Sequence, residues 1–194
     1  MRIVVIGASG VIGSAVADAL EKDHEVVRAS RRGQVRVDMN DTASVDALFQ
    51  SVPDVDAVVC CAANAPLTPL DAGVDAEDVV RPKLFGQVHL VREAARHVRD
   101  GGSVTLTSGA FDRPMAGGAF GAMVNAGLEA FVAGAALEMP RGLRLNTVSP
   151  GWVAETLETL GMDASEGTPV SEVAGAYVVA VEGDDRGKTF RPSR

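Results

Sequence analysis

The sequence is short of several residue types, and each shortage excludes a class of protein. Its two cysteines, Cys60 and Cys61, are adjacent, so they form neither a disulfide framework nor a set of metal ligands. The net charge of −8 argues against a basic face for nucleic acid or anionic membrane. No apolar run approaches the roughly 20 residues of a membrane span, and the N-terminus lacks a signal-peptide pattern. We therefore expect a cytoplasmic protein without a metal and without nucleic-acid or membrane partners.

Tyrosine and lysine are scarce as well. The 194 residues include one tyrosine, Tyr177, and three lysines, Lys22, Lys83 and Lys188. Phenol and amine groups are among the general acids that enzymes use. Any acid–base role of a phenol or an amine therefore falls on one of these four residues.

Short apolar runs alternate with longer stretches of helical periodicity along the whole chain. Runs that are apolar at consecutive positions are typical of strands covered on both faces, as in parallel sheets. The alternation predicts a single domain over residues 1–194, with a three-layer, doubly wound parallel α/β sheet (Rossmann fold). The predicted strands are Ile3–Ile6, Glu25–Arg28, Gln34–Val37, Val55–Cys61, Ser103–Thr107 and Leu143–Val148, and the helices are Val11–Lys22, Ala43–Ser51, about Val79–Arg99, about Gly118–Met139 and Ser171–Glu182.

A glycine-rich turn follows the first predicted strand and opens the first helix. Gly7 allows the tight turn, Gly10 lets the backbone approach a pyrophosphate, and Gly13 permits close packing of helix on strand. The N–H groups at the helix end favour phosphate charge. A plain glycine-rich turn is the alternative, but the strand–turn–helix context favours a dinucleotide site. The predicted contacts here are Gly7, Ser9, Gly10, Val11, Ile12 and Gly13.

The end of the second strand indicates which dinucleotide is bound. An acidic residue there would accept the ribose 2′-hydroxyl of NAD, whereas arginine favours the 2′-phosphate of NADP. The sequence has Ser30 and Arg31 at this place, and a guanidinium binds phosphate through two parallel hydrogen bonds. An exposed arginine that only aids solubility is the alternative. Together with the glycine turn, the pattern favours NADP(H).

Further motifs give the chain a resemblance to the short-chain dehydrogenase/reductase family over nearly its whole length. Asp38-Met39 is similar to the family's adenine-contacting pair, and Cys61-Ala62-Ala63-Asn64 occupies the place of its Asn-Asn-Ala-Gly segment. Thr107-Ser108 ends a strand as the catalytic serine does. The most specific piece is Leu143–Gly151, which leads into Pro150-Gly151-Trp152-Val153. The resemblance implies that Asp38, Met39, Cys61, Ala62, Ala63, Pro150, Gly151 and Val153 contact the cofactor, and that Ser108 is catalytic.

The catalytic Tyr-x-x-x-Lys pair of that family is missing from this sequence. Counting thirteen positions from Ser108 places Gly121 where the tyrosine should be and Asn125 where the lysine should be. The neighbouring Phe120 has no proton to give, and Tyr177 lies on a different predicted helix. A positioned general acid contributes about 10²–10⁴-fold in rate, so carbonyl reduction would be weakened unless another residue compensates.

Lys83 is the residue that we expect to compensate. It aligns with the family's active-site Asn, and we expect it to act as electrophile or proton donor beside Ser108. Partial burial would lower its pKa towards a useful value. A surface lysine on a helix is the alternative. The protein is accordingly either an NADP(H)-dependent oxidoreductase acting on a small carbonyl or activated alkene, or a non-catalytic NADP(H)-binding sensor.

Two segments near the expected site and one surface complete the predictions. The small residues Gly117, Gly118, Gly121 and Ala122 allow close packing and leave a roomier pocket beside the nicotinamide. Residues 152–169 form either a lid over the substrate, with Phe111 and Met115 opposite, or a short structural helix. The resemblance also implies a homo-oligomer, dimer or tetramer, whose apolar contacts would come from Leu84, Val88, Val91, Phe131 and Ala135.

Overall fold

The computed structural model describes residues 1–62 and 66–192, and their strands form one sheet of parallel pairs in the order β3-β2-β1-β4-β5-β6-β7. The strands are β1 (Arg2–Ile6), β2 (Glu25–Ser30), β3 (Val35–Arg36), β4 (Ala57–Cys60), β5 (Ser103–Thr107), β6 (Arg144–Val148) and β7 (Thr189–Phe190). The helices are α1 (Val11–Leu20), α2 (Thr42–Ser51), α3 (Ala76–Val80), α4 (Gly86–His97), α5 (Ala119–Ala135), α6 (Ala154–Thr159) and α7 (Val170–Glu182), with a π-helical turn at Arg81–Phe85 and a 3₁₀ turn at Ala164–Glu166. The predicted Rossmann architecture is confirmed.

Helices cover both faces of the sheet, which explains why the central strands are apolar throughout. Every residue of β4 and β5 is buried. One core contains Leu48, Leu90 and Leu128 from α2, α4 and α5. The other contains Leu20 and Tyr177 from α1 and α7. Side chains on alternate positions of each strand thus enter two separate apolar layers.

The strand order reverses between β1 and β4. The chain winds outward from β1 through β2 to β3, and then crosses back to place β4 on the other side of β1. In doubly wound sheets, ligands bind at such a reversal, outside the carboxyl ends of the strands. The topology therefore fixes where a site belongs before any side chain is considered.

Two elements differ from the sequence predictions, and a third segment had been predicted with two alternatives. The helix predicted over Val79–Arg99 is divided into α3, the π-helical turn and α4, with Pro82 in the first turn of the π-helical segment. Strand β7 escaped prediction because two residues carry no periodicity. Of the two possibilities for residues 152–169, the structure has short helices, and Leu157 of α6 is buried. Within the described residues, no helix has the length and apolarity that crossing a membrane requires.

Candidate active site

A cleft of about 1040 Å³ lies at the carboxyl ends of β1, β2 and β4. It brings together most of the residues predicted to bind a cofactor: Gly7, Ser9, Gly10, Val11, Ile12, Gly13, Ser30, Arg31, Asp38, Met39, Cys61 and Ala62. Residues that the sequence did not single out complete the wall, among them Asp75, Asp78, Val79 and Pro82 around α3 and Thr156 from α6. Ala63 lies outside the described residues. Pro150, Gly151 and Val153 follow β6 and do not contribute to this wall.

The glycine turn has the geometry of a phosphate cradle. Gly7 has φ of +83° and donates its N–H to Ala29 O at 2.9 Å, a left-handed conformation that glycine adopts without strain. A Cβ on Gly13 would lie 2.1 Å from Gly7 O, so helix and turn touch through their backbones. A Cβ on Gly10 would meet only Gly7 O, at 3.5 Å, and would otherwise enter open space. Because Gly10 gives α1 no side-chain cap, the first N–H groups of the helix are available to an anion.

The rim of the cleft carries the groups expected to select the nucleotide. Ser30 ends β2, and a Cβ on Gly33 would come within 2.8 Å of its Oγ, so the following loop packs tightly against this hydroxyl. Arg31 comes next and lines the cleft. Asp38 is held by its own turn, since its Oδ1 accepts from Asn40 N at 3.0 Å. A guanidinium and a hydroxyl are therefore adjacent at the end of β2.

Lys83 is buried, with 5% of its surface exposed, and not a surface residue. Its Nζ donates to Ser108 O and to Asn125 Oδ1, both at 2.7 Å. Burial lowers the pKa of the Lys83 amine to about 8, against a smaller opposing effect of the Cys60 thiol. The two acceptors are neutral, so no carboxylate hydrogen bonds to the amine and stabilises its charge. The structure thus joins Lys83 and Asn125, which the sequence predicted to replace two members of the family's catalytic set.

The Ser108 hydroxyl is engaged elsewhere than expected. It donates to Glu129 Oε1 at 3.1 Å, and Ser149 Oγ donates to the same oxygen at 2.8 Å. Arg191 binds the other oxygen of this carboxylate. What Ser108 offers to Lys83 is its backbone carbonyl. The residue whose Cα faces the Asn125 side chain is the next one, Gly109. A Cβ at this position would lie 3.1 Å from Asn125 Nδ2.

The space beside Gly121 is filled by an aromatic ring. A Cβ on Gly121 would lie 3.2 Å from Cζ and 3.3 Å from Cε2 of Phe111. A Cβ on Gly118 would similarly lie 3.0 Å from Cγ of Met115. The predicted close packing is therefore present, but Phe111 supplies it from the loop after β5, and the expected roomier pocket is not found next to Gly121.

The comparisons with known proteins agree with this geometry. A family model described as enoyl-(acyl carrier protein) reductase matches residues 6–175. The chain belongs to the short-chain dehydrogenase/reductase family. No curated protein sequence matches it significantly.

Solved structures place this short-chain dehydrogenase/reductase among several similar folds. Protein lin1944 from Listeria innocua is 37% identical, with a TM-score of 0.93 and full coverage of both chains. A small-chain dehydrogenase is 28% identical, with a TM-score of 0.82. Another, described as in complex with NADPH, is 27% identical with a TM-score of 0.84. Each of these two comparisons covers 98% of this chain and 95% of the other.

Three other ionisable groups of this short-chain dehydrogenase/reductase, on Tyr177, Cys60 and Cys61, lie around the ends of β4 and β5. Tyr177 is fully buried, with its hydroxyl 2.6 Å from Thr107 Oγ1. Because Thr107 Oγ1 donates its one proton to Cys60 O at 2.5 Å, Tyr177 is the donor to Thr107. Burial raises the pKa of Tyr177 and of the Cys61 thiol, and raises the pKa of Cys60 to about 12. These three groups therefore stay protonated at neutral pH, whereas the pKa of Lys83, about 8, lies close to neutral.

Proposed function

We propose that this protein is an NADP(H)-dependent oxidoreductase that transfers hydride to or from a small carbonyl compound or an activated alkene, with Lys83 as the proton donor. The observation that carries the proposal is the buried amine of Lys83, held 2.7 Å from both Ser108 O and Asn125 Oδ1. A pKa of about 8 suits proton transfer near neutral pH.

The cleft fits the nucleotide part of the cofactor. Open space at Gly10 and the uncapped start of α1 suit the pyrophosphate, Asp38 and Met39 suit the adenosine, and Ser30 with Arg31 suits the 2′-phosphate. The NADPH complex of a relative that is 27% identical supports this choice. When bound, the nicotinamide supplies or accepts the hydride. Ala63, Pro150, Gly151 and Val153 stay predicted contacts on the nicotinamide side.

Lys83 has the donors that the reaction requires. An ammonium has three N–H groups, and two of them are used by Ser108 O and Asn125 Oδ1. Within the part of the chain that the structure describes, the third has no partner, and in this proposal it donates to an oxygen on the substrate, where negative charge develops as hydride arrives. Giving up that proton leaves a neutral amine, which a buried site favours. In this proposal Ser108 contributes its carbonyl oxygen, and a direct catalytic role of its hydroxyl stays a prediction for Ser108→Ala to test.

The test combines turnover with binding. NADPH absorbance is followed against aldehydes, ketones, quinones and enones, and NADPH affinity is measured by titration. Lys83→Met should lower kcat at least about 100-fold on any substrate found, with NADPH affinity unchanged. Lys22→Met, at an exposed lysine, is the matched control and should retain full activity. Full turnover by Lys83→Met would exclude the proposed donor.

Cofactor choice has a separate test. Arg31→Ala should weaken NADPH binding by at least about tenfold and leave NADH binding unchanged, because only NADPH carries the phosphate that the guanidinium would bind. Arg32→Ala, at an exposed neighbour outside the cleft wall, serves as the control. Equal affinity for NADH and NADPH in the unaltered protein, together with no change in Arg31→Ala, would contradict the NADP(H) preference.

A non-catalytic NADP(H)-binding sensor is the second candidate. Two observations favour it: the Ser108 hydroxyl is bound to Glu129, and the ring of Phe111 covers Gly121. This function predicts tight NADPH binding, no turnover with the substrate panel, and no effect of Ser108→Ala on NADPH affinity.

Assembly and location stay predictions. Of the residues expected at an oligomer face, Val91 is buried in the chain's own core, whereas Leu84 and Val88 are partly exposed. Phe85 and Met123, both about half exposed, add apolar surface to the same helical region. Sedimentation equilibrium should show a dimer or tetramer, and a monomer at micromolar concentration would contradict this prediction. A cytoplasmic location is likewise expected.

A further inference from the structure

We infer that Gln87 is the positioning residue that holds Lys83 in its buried place. Its amide links the backbone of Lys83 to Thr107 at the end of β5. The next residue is Ser108, whose carbonyl oxygen accepts a hydrogen bond from the Lys83 amine. The chemical importance of this link rests on the proposed function, because it is Lys83 that would transfer the proton.

Gln87 is fully buried, and three hydrogen bonds satisfy its amide. Its Nε2 donates to Lys83 O at 2.9 Å and to Thr107 O at 3.0 Å. Its Oε1 accepts from Thr107 N at 2.9 Å. Burial of an amide is costly unless its polar atoms are paired, so this position strongly favours a side chain with both donors and an acceptor.

The amide takes the place of a missing strand. On one side of β5, the pairing with β6 continues to Thr107, opposite Val148. On the other side, the pairing with β4 ends at Thr105, opposite Val59. The two bonds between Gln87 and the backbone of Thr107 fill this gap. The end of β5 is thereby fixed on both sides just before Ser108.

A closed set of contacts follows from this arrangement. The backbone of Lys83 is tied through Gln87 to Thr107, and the amine of Lys83 returns to Ser108 O, one residue further along. The π-helical turn that carries Lys83 is therefore attached to the strand at both ends of the lysine. Asn125 from α5 adds the third support. Loss of the Gln87 amide would release the turn and let water reach the amine.

The groups around the Lys83 amine are uncharged, so the pKa of Lys83 reports directly on whether the amine is buried or in contact with water. Facing it are the neutral Asn125 amide from α5, the Ser108 carbonyl after β5 and the Cys60 thiol at the end of β4, which burial keeps protonated. Glu129 on α5 binds the Ser108 hydroxyl and is not a hydrogen-bond partner of the amine. A lysine that gains water in these surroundings regains a higher pKa. A merely structural glutamine would lower stability and leave that titration unchanged.

The experiment uses the small number of lysines. Lysine labelled with ¹³C and ¹⁵N gives three side-chain signals, from Lys22, Lys83 and Lys188, and Lys83→Met assigns the one of interest. Two variants are titrated in the intact chain, and neither adds a charge near the amine: Gln87→Met, which keeps the length and loses every hydrogen bond, and Gln87→Leu, which loses them with a branched side chain. Both should move the Lys83 midpoint upward by at least about one pH unit, a tenfold change in proton affinity. Gln50→Met, at an exposed glutamine, is the matched control and should not move it.

The outcomes separate this inference from the proposed function. A Lys83 midpoint that stays at the wild-type value in either variant, with cooperative unfolding retained, overturns the role of Gln87. If Gln87→Met does not fold, Gln87→Leu decides the question alone. Because the titration needs no substrate, it stands whether or not Lys83→Met abolishes turnover. Retained turnover in Lys83→Met would remove the proposed function and leave the positioning of Lys83 by Gln87 intact.

Discussion

Raising the pH from 8 to 10.5 should stabilise the wild-type protein relative to Lys83→Met. Burial lowers the pKa of Lys83 from its ordinary 10.5 to about 8 in the folded chain. Between these two values the unfolded amine binds a proton that the folded amine has lost. Stability rises with pH wherever the unfolded state binds more protons, so the contribution of Lys83 is fully present above pH 10.5 and is lost as the pH falls to 8.

The size of the effect follows from the two pKa values. One pKa unit corresponds to 1.36 kcal/mol, so the interval from 10.5 to 8 is worth about 3 kcal/mol of unfolding free energy. This is a large fraction of the roughly 5–15 kcal/mol that stabilises a typical domain. Lys83 is almost completely buried, so little of this effect is screened by solvent.

Urea denaturation at a series of pH values between 7.5 and 10.5 measures the difference. Cys60, Cys61 and Tyr177 act in the opposite direction, because burial raises the pKa of each and the unfolded chain loses those protons first. Lys83→Met retains all three, so subtracting its curve isolates the amine. Parallel curves for the two proteins across this range would refute the burial of a proton-binding amine at position 83.

Three further changes test other parts of the site. Gly10→Ala should keep the fold and weaken NADPH binding at least about tenfold, because its Cβ would enter the open cleft. Gly13→Ala should lower the melting temperature, because its Cβ would lie 2.1 Å from a backbone oxygen. Equal effects of the two substitutions would contradict the assignment of Gly10 to the cofactor and of Gly13 to packing. Tyr177→Phe removes a buried hydrogen bond of 2.6 Å and should cost about 1 kcal/mol in urea denaturation, without changing NADPH affinity. Lys83→Asn should lose turnover, and adding Asn125→Lys should restore part of it, because the two side chains meet at 2.7 Å and the new amine would extend from α5. No recovery in the double variant would show that the amine has to extend from position 83.

Local patterns were sufficient to predict the fold and the geometry of the glycine turn. The conformation of Gly7 and the contact between Gly13 and the turn depend on residues within one strand–turn–helix unit, so the spacing of glycines defines them. The sequence left the position of Lys83 open between partial burial and a place on the surface. Its burial depends on Ser108 and Asn125, which lie 25 and 42 residues further along the chain.

Contacts that depend on several distant segments were beyond the sequence. The ring of Phe111 reaches Gly121 because the loop after β5 folds back on α5, and no periodicity reports that path. The Ser108 hydroxyl donates to Glu129, twenty-one residues further along the chain. The same carboxylate accepts from Ser149, so it joins the ends of β5 and β6. The spacing of four residues places Gln87 on the helical face of Lys83, but it does not indicate which backbone groups the amide binds. Its role becomes visible only where the pairing between β4 and β5 stops.

The π-helical turn makes the position of the amine sensitive to chain length. In this turn Gly86 N reaches back five residues to Arg81 O, one residue further than in an α-helix. Deleting a single residue between 81 and 85 would allow an ordinary α-helix, in which each residue adds about 100° of rotation. Lys83 would then leave the side of Asn125 although every other helix and strand kept its sequence. A one-codon deletion should therefore separate the proposed nucleotide binding from the proposed proton transfer, as Lys83→Met should, while the lysine itself stays in the sequence.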